Sequence, residues 1–351
     1  MANILITGAA GFIGSHIAEA LCARGDSVCI MDDLSGGCRA NVQEAAIASG
    51  RPTLLRFNVA DCANSFAFEN ILALHGVPDV LVHCAANARE GASQFQPISV
   101  THRNFYAYIN TLTTCLKAGV KHVVLFSSMA VYGENQTPFD ETFERQPVDV
   151  YGVNKASMER VTEILASVHG FSYMIIRPHN VFGERQALND KFRNVVGIFM
   201  NRIMGGEPLF IYGDGKQERA FSYIGDSLPC FIRAIDLVCS ENQIPHDHRI
   251  VNVGGMENVT VNELADTVCN AMHVSPESYP REHLSDRPCE VKYAYSTYAR
   301  SVDVLGYCER IGWRRGIELM AKWAVLKGPQ PWYNTQPLEL VNESVPKPWL
   351  V

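Results

Sequence analysis

The stretch ILITGAAGFIGSHIAEALCARG, from Ile4 to Gly25, does most to restrict the fold. A short apolar run stops at Gly8, glycine returns at Gly11 and Gly14, and apolar residues recur at helical spacing in Ile13, Ile17 and Leu21. That order reads as strand, tight loop and helix. Glycines at such points permit backbone angles closed to other residues and a close approach by a ligand, while the helix start offers unpaired N–H groups and a positive dipole end. A pyrophosphate suits both. The GxxGxxG spacing departs from the commoner GxGxxG, and three glycines by themselves also mark plain turns. The next apolar run, SVCIMDDLSGG, narrows the choice, because it ends in Asp32, 24 residues after Gly8. An acid at that strand end accepts hydrogen bonds from an adenosine ribose. It also repels a 2′-phosphate, and no arginine follows until Arg39, so NAD is expected rather than NADP.

Further apolar runs end in polar turns: LLRFNVAD, VLVHCAANA, HVVLFSS and SYMIIRPHNVFG. Separated by helical patterns, they predict an α/β protein with a Rossmann-type, doubly wound parallel sheet. The 351 residues, 47% hydrophobic, suffice for that sheet and a second lobe. A net charge of -7 without a long Lys/Arg run argues against nucleic acid as a partner, so an anionic ligand has to be held by local arginines. No apolar stretch approaches the roughly 20 residues that cross a bilayer, and MANILITGAAGFIG lacks a basic leader segment; no membrane association and a cytoplasmic location are expected. Eleven dispersed cysteines, never as CxxC, fit reduced thiols and no zinc site. His246 and His248 read as a solvated loop, so no metal is expected.

Chemistry enters with YGVNK, residues 151 to 155. On a helix, positions i and i+4 share a face, so the Lys155 ammonium can sit near the Tyr151 phenol and favour its ionised form. Alone, such a pair is equally a solvated helix start. HVVLFSS adds Ser127 and Ser128 at a strand's carboxyl end, where open α/β sheets place their ligand crevice, with Tyr151 23 residues beyond Ser128. If the intervening loop folds back, hydroxyl, phenol and ammonium meet beside a nicotinamide. A plain strand-end turn is the other reading, more so for Ser127 than for Ser128.

Taken together, Gly8-Ala-Ala-Gly11-Phe-Ile-Gly14, Asp32-Asp33-Leu34-Ser35, Ala85-Ala86, Ser127-Ser128-Met-Ala-Val-Tyr132-Gly133 and Tyr151-Gly-Val-Asn-Lys155 resemble the extended short-chain dehydrogenase/reductase family. Within it, the chain is most similar to the NAD-dependent nucleotide-sugar epimerases of the UDP-glucose 4-epimerase type, from Ile4 to about Gly328. The resemblance implies Ser128, Tyr151 and Lys155 as catalytic residues, with Tyr151 the base and Lys155 lowering its pKa while holding the nicotinamide ribose. It implies NAD contacts from Gly8, Gly11, Phe12, Ile13, Gly14, Asp32, Asp33, Leu34, Ser35, Gly37, Cys84, Ala85, Ala86, Ser127 and Pro178. Asn58 and Val59 match the adenine-contacting pair, commonly Asp then an apolar residue, and Asn104 matches the asparagine of N-x-x-G-T, whose last two positions are Ala107 and Tyr108 here.

For the substrate, a nucleotide sugar and most readily a UDP-hexose, with N-acetylated and uronic acid forms left open, the resemblance implies His179, Asn180, Asn194 and Val195 on the nucleotide side, Leu209 and Phe210 near the base, and Arg219 and Arg287 on the diphosphate. Arg287 stands in R-x-G-[D/E] with Cys289 in place of the glycine. Guanidinium pairs with phosphate through two hydrogen bonds, although a lone arginine is equally a surface ion pair. Ala294, seven positions after Arg287, falls where the family flanks the sugar's 2-substituent; alanine leaves room for an N-acetyl group. Family dehydratases carry an Asp-Glu pair, and decarboxylases a Glu, where this chain has Met129 and Ala130, so C4 epimerisation is expected over either. A non-catalytic NAD-binding protein would typically lack Tyr151 or Lys155. Arg89 has no assigned role. The expected division is an NAD lobe of residues 1–180 and 221–253, a substrate lobe of 181–220 and 254–330, and a proline-rich tail of 331–351. Helical stretches near 97–118 and 151–169 match the family's dimer interface, so a homodimer is expected.

Overall fold

The computed structural model describes residues 1–240, 244–333 and 337–350; positions 241–243, 334–336 and 351, including part of the proline-rich tail, lie outside them. Seven parallel strands form the large sheet: β1 (Asn3–Thr7), β2 (Ser27–Asp32), β3 (Leu55–Val59), β4 (Val80–His83), β5 (His122–Phe126), β6 (Ser172–Pro178) and, much later in the chain, β11 (Ile250–Val253). Their order across the sheet is β11-β6-β5-β4-β1-β2-β3. Parallel neighbours need crossovers, and helices supply them. These are α1 (Phe12–Arg24), α2 (Arg39–Ala48), α3 (Ser65–His75), α4 (Pro97–Thr101), α5 (Ala107–Ala118) and α6 (Val150–His169).

Alternation along β1 shows why the strands read as nearly continuous apolar runs. Ile4 and Ile6 face a core completed by Ile17 and Leu21 of α1, whereas Leu5 faces Phe68 of α3, Leu112 of α5 and Met158 of α6. With both faces covered, the central strands are almost wholly buried, and each fully buried Ile, Leu or Val contributes about 1.5–3 kcal/mol. The chain moves outward from β1 through β2 and β3, then returns to β4 on the other side of β1. That reversal between β1 and β4 opens a crevice at the strands' carboxyl ends, where Gly8 and Cys84 stand.

Between α4 and α5, residues His102–Tyr106 form a π-helical turn, so 97–118 is one helical run with an internal bulge. The remaining elements build the second lobe and its seam: β7 (Val181–Phe182) with β10 (Ser222–Tyr223), β8 (Leu209–Tyr212) with β13 (Arg281–Leu284), and β9 (Glu218–Ala220) between β12 (Asn258–Thr260) and β14 (Tyr293–Ala294). Helices α7 (Val195–Met204), α9 (Val261–Ala271), α10 (Ala299–Leu305) and α11 (Trp313–Lys327) complete it, whereas α8 (Ile224–Val238) packs on α1 and on β5 and β6 of the large sheet. Ile6, Phe126, Phe182, Phe199, Leu209, Val268 and Met320 belong to one continuous core, so the two lobes share an interior. All eleven cysteines are free thiols. Among the described residues no helix is long and apolar enough to cross a membrane.

Candidate active site

A cleft of about 1240 Å³ runs from the β1–α1 glycine loop to the second lobe. At the glycine end, Gly8 has φ 76°, and a Cβ there would lie 2.5 Å from the Ala85 nitrogen; a Cβ on Gly14 would lie 2.7 Å from the Ala9 Cα. Side chains are therefore barred where the loop meets the crevice and where α1 meets the loop. Gly11 begins α1 without a side-chain cap, leaving that helix start open to an anion. Asp32 ends β2 and accepts the N–H of Ala10 (2.9 Å) and of Leu34 (2.8 Å). Burial pushes its carboxyl up from the usual range against those two bonds. Phe12, Ile13, Asp33, Leu34, Ser35, Gly37, Cys84, Ala85, Ala86, Ser127 and Pro178 also border the cleft, and Asp33 pairs with Arg103 at 2.6 Å. Barred glycines, an open helix start and a strand-end acid fit a dinucleotide.

Three expected cofactor positions fall elsewhere. Asn58 turns inward, donating to the Ile30 carbonyl (3.1 Å) and bonding His75 (3.0 Å), and half-exposed Val59 does not border the cleft; Asp61 and Cys62 do. Asn104, on the π-helical turn, clamps both backbone groups of Asn87 at 2.6 and 3.1 Å. It shapes the cleft loop from behind.

Serine, tyrosine and lysine do come together. Asp149 caps α6 by accepting the Gly152 N–H (2.7 Å), which sets Tyr151 in the first turn with Lys155 one turn on. The Ser128 hydroxyl, which accepts the Ala130 N–H at 3.1 Å, borders the cleft with the Tyr151 phenol and favours its ionised form. The Lys155 ammonium is buried, donates to the Phe126 carbonyl (2.7 Å) and lies 5.8 Å from the Tyr151 ring centre. Burial lowers its pKa to about 8, with Cys84 and Glu159 pulling the other way. Burial raises the pKa of the phenol, Ser128 and Arg193 draw it back, and Glu90 and Asp149 add to the rise. Behind the triad, Glu159 accepts from Arg177 at 2.9 and 2.7 Å, from Arg145 at 2.6 Å and from Ser127. Burial opposes its charge, but the two arginines hold its carboxyl below the usual range. Glu159 lies i+4 from Lys155 on the same face of α6, and that spacing is its signal in the sequence.

On the far side, Arg219 and Arg287 converge on Glu290, at 3.0 Å from Arg219 and 2.8 Å from Arg287. Burial works against the Glu290 charge, yet the arginines keep its carboxyl low. Asn180, Val195 and Phe210 border the cleft, as does Asn194, which caps α7. Two neighbours do not. His179 is fully buried against Ser296 (2.9 Å), which drops its pKa to about 3, and Leu209 is in the core. Ala294 borders the cleft beside Phe139 and Met129, while Tyr293 and Tyr295 do not. Arg89, without a role at first, makes a buried ion pair with Asp190 (3.1 Å) and lies 5.2 Å from the Phe192 ring centre. The tail's Trp349 packs on Phe95 and Phe192, and it too borders the cleft.

Comparison with known proteins gives this geometry a context. A UDP-N-acetylglucosamine 4-epimerase from Methanobrevibacter ruminantium, solved with UDP-N-acetylmuramic acid, superposes with a TM-score of 0.81 at 28% identity, covering 93% of this chain and 99% of that one. A Thermus thermophilus UDP-glucose 4-epimerase complex with NAD gives 0.79 at 28% identity over 92% and 98%. A UDP-N-acetyl-α-D-glucosaminuronate decarboxylase of Bacillus cytotoxicus is 28% identical over 91% of this chain and 96% of its own. Residues 4–254, from the first strand of the large sheet to just past the last, match the model of the NAD dependent epimerase/dehydratase family, and the chain belongs to that family.

Proposed function

We propose that the protein interconverts UDP-hexoses epimeric at C4. The observation that carries this reading is the position of the Ser128–Tyr151–Lys155 group, between a cradle suited to NAD and a pair of arginines suited to a diphosphate. A sugar spanning that interval has its ring at Tyr151. Bound NAD supplies a hydride acceptor that can also return the hydride, so that C4 passes through a ketone and emerges inverted with no net oxidation. Tyr151 takes the 4-hydroxyl proton and gives it back, Ser128 shares the hydrogen bond to that oxygen, and Lys155 fixes a positive charge beneath the ring. Because burial holds the phenol protonated, it needs a cation beyond Lys155, and the positive charge of an oxidised nicotinamide is suited to that. Met129 and Ala130 border the same space without an ionisable group, which leaves elimination or decarboxylation without an acid there.

The exposed apolar residues Val153, Ile164 and Val168 on α6, with Tyr106 in the π-helical turn, support a homodimer through these helices. Eleven free thiols suit a reducing cytoplasm. Tyr151→Phe removes one oxygen and should abolish formation of UDP-galactose from UDP-glucose, followed by proton NMR, while NAD and UDP still bind. Turnover within tenfold of wild type would exclude Tyr151 as the base.

A further inference from the structure

Two carboxylates on the sugar side of the cleft, Glu90 and Asp149, take no part in the reaction just described. Glu90 opens the turn that follows β4, and that turn is fixed at both ends. Arg89 is held by Asp190 at 3.1 Å, and Ser93 donates to the Glu90 carbonyl (2.7 Å) while accepting the Tyr151 N–H (3.2 Å). One hydroxyl therefore ties the backbone of Glu90 to that of the reacting tyrosine. In the other direction, a Cβ on the adjacent Gly91 would lie 3.4 Å from an Arg287 guanidinium nitrogen. Glu90 thus stands between the phenol and the diphosphate arginines, the interval that a hexose has to span. Burial raises the pKa of both carboxyls, that of Asp149 to about 7 with Glu90 adding to it, while Arg219 and Arg287 favour the charged form of Glu90.

The cations around this interval already have partners. Arg219 and Arg287 share Glu290, Arg89 and Arg193 share Asp190, and Lys155 donates to a carbonyl. A diphosphate arriving at Arg219 and Arg287 takes up what positive charge they offer. A further anionic group on the sugar would then face Glu90 and Asp149 with no cation set aside for it, whereas hydroxyl or amide N–H groups could donate to both carboxylates. Resting on the nucleotide-sugar reading above, we propose that Glu90 is a specificity-determining residue that admits UDP-hexoses with uncharged sugars and rejects UDP-hexuronates. Selection of this kind works through a repulsive element built against the competitor.

The test is calorimetric binding of UDP, UDP-glucose and UDP-glucuronate to the NAD-loaded Tyr151→Phe protein, which cannot turn over, with and without Glu90→Gln. The parent should bind UDP-glucose about a hundredfold more tightly than UDP-glucuronate, and Glu90→Gln should narrow that ratio about tenfold, as expected when one like charge is removed from contact. Asp149→Asn, which keeps the helix cap, should narrow it in the same direction. If UDP itself fails to bind, the nucleotide-sugar reading falls and this inference with it. If UDP and UDP-glucose bind but the ratio is absent in the parent or unmoved by Glu90→Gln, the inference alone is overturned.

Discussion

A lysine ammonium with no carboxylate partner is costly to bury, and Lys155 is 2% exposed. The carbonyl of Phe126 satisfies one proton, and Glu159 one turn later supplies distant compensation. The residual cost appears as a pKa lowered to about 8. The ammonium form, which fixes a positive charge beside the Tyr151 ring, is present below that value and lost above it. Wild-type kcat/KM should therefore fall as pH rises through about 8, and Lys155→Met should be slower at neutral pH and lack that alkaline limb; parallel pH–rate profiles would refute the assignment. The triad itself was readable from YGVNK and SSMAVYG. What spacing did not reveal is the balance at Tyr151, where burial outweighs Ser128 and Arg193, because desolvation depends on everything packed around the phenol rather than on its neighbour at i+4.

At the level of elements, alternation separates the assignments that reach the cleft from those that do not. Leu209 and Phe210 are consecutive on β8, so only one can face the cleft, and it is Phe210. At the end of β6, Pro178 borders the cleft and His179 turns into the core, and Asn180, with φ 36°, returns to the cleft. Sequence motifs marked these segments correctly but did not resolve neighbours, since both members of a pair are polar or apolar alike. On β14, Ala294 pairs with Arg219, which turns it inward and leaves Tyr293 half-exposed. A ring in place of this methyl would occupy the space beside Met129 and Phe139. Ala294→Tyr should therefore lower the kcat/KM ratio of UDP-N-acetylglucosamine to UDP-glucose at least about tenfold, in line with the cost of overpacking a closed pocket. An unchanged ratio would show that the 2-substituent lies elsewhere. Glu90 and Asp149 were illegible for a different reason: they lie 59 positions apart, and only the return of the chain through β5 and α6 brings them to one wall.

Across the whole molecule, the parallel sheet was the most legible feature, because strands covered on both faces leave apolar runs that no exposed sheet would carry. The closure of the cleft was not, since it joins segments from opposite ends of the chain. Trp349 packs against Phe95 from the β4 loop, Phe192 from the segment before α7 and Tyr212 from β8. Glu339 accepts the N–H groups of Ile98 and Ser99 at the start of α4 (2.7 and 2.8 Å). The tail thus straps the two lobes over the nucleotide-sugar end. Removing residues 337–351 should raise KM for UDP-glucose at least about tenfold while leaving copurified NAD near its wild-type amount, measured by kinetics and by cofactor extraction; an unaltered KM would mean that the strap does not close the site. The central claim is that hydride leaves C4 and returns to the same carbon inside a closed cleft. UDP-glucose carrying deuterium at C4 tests it directly: mass and NMR analysis should find UDP-galactose with the deuterium retained at C4, whereas loss of the label to water, or a product that is not the C4 epimer, would contradict it.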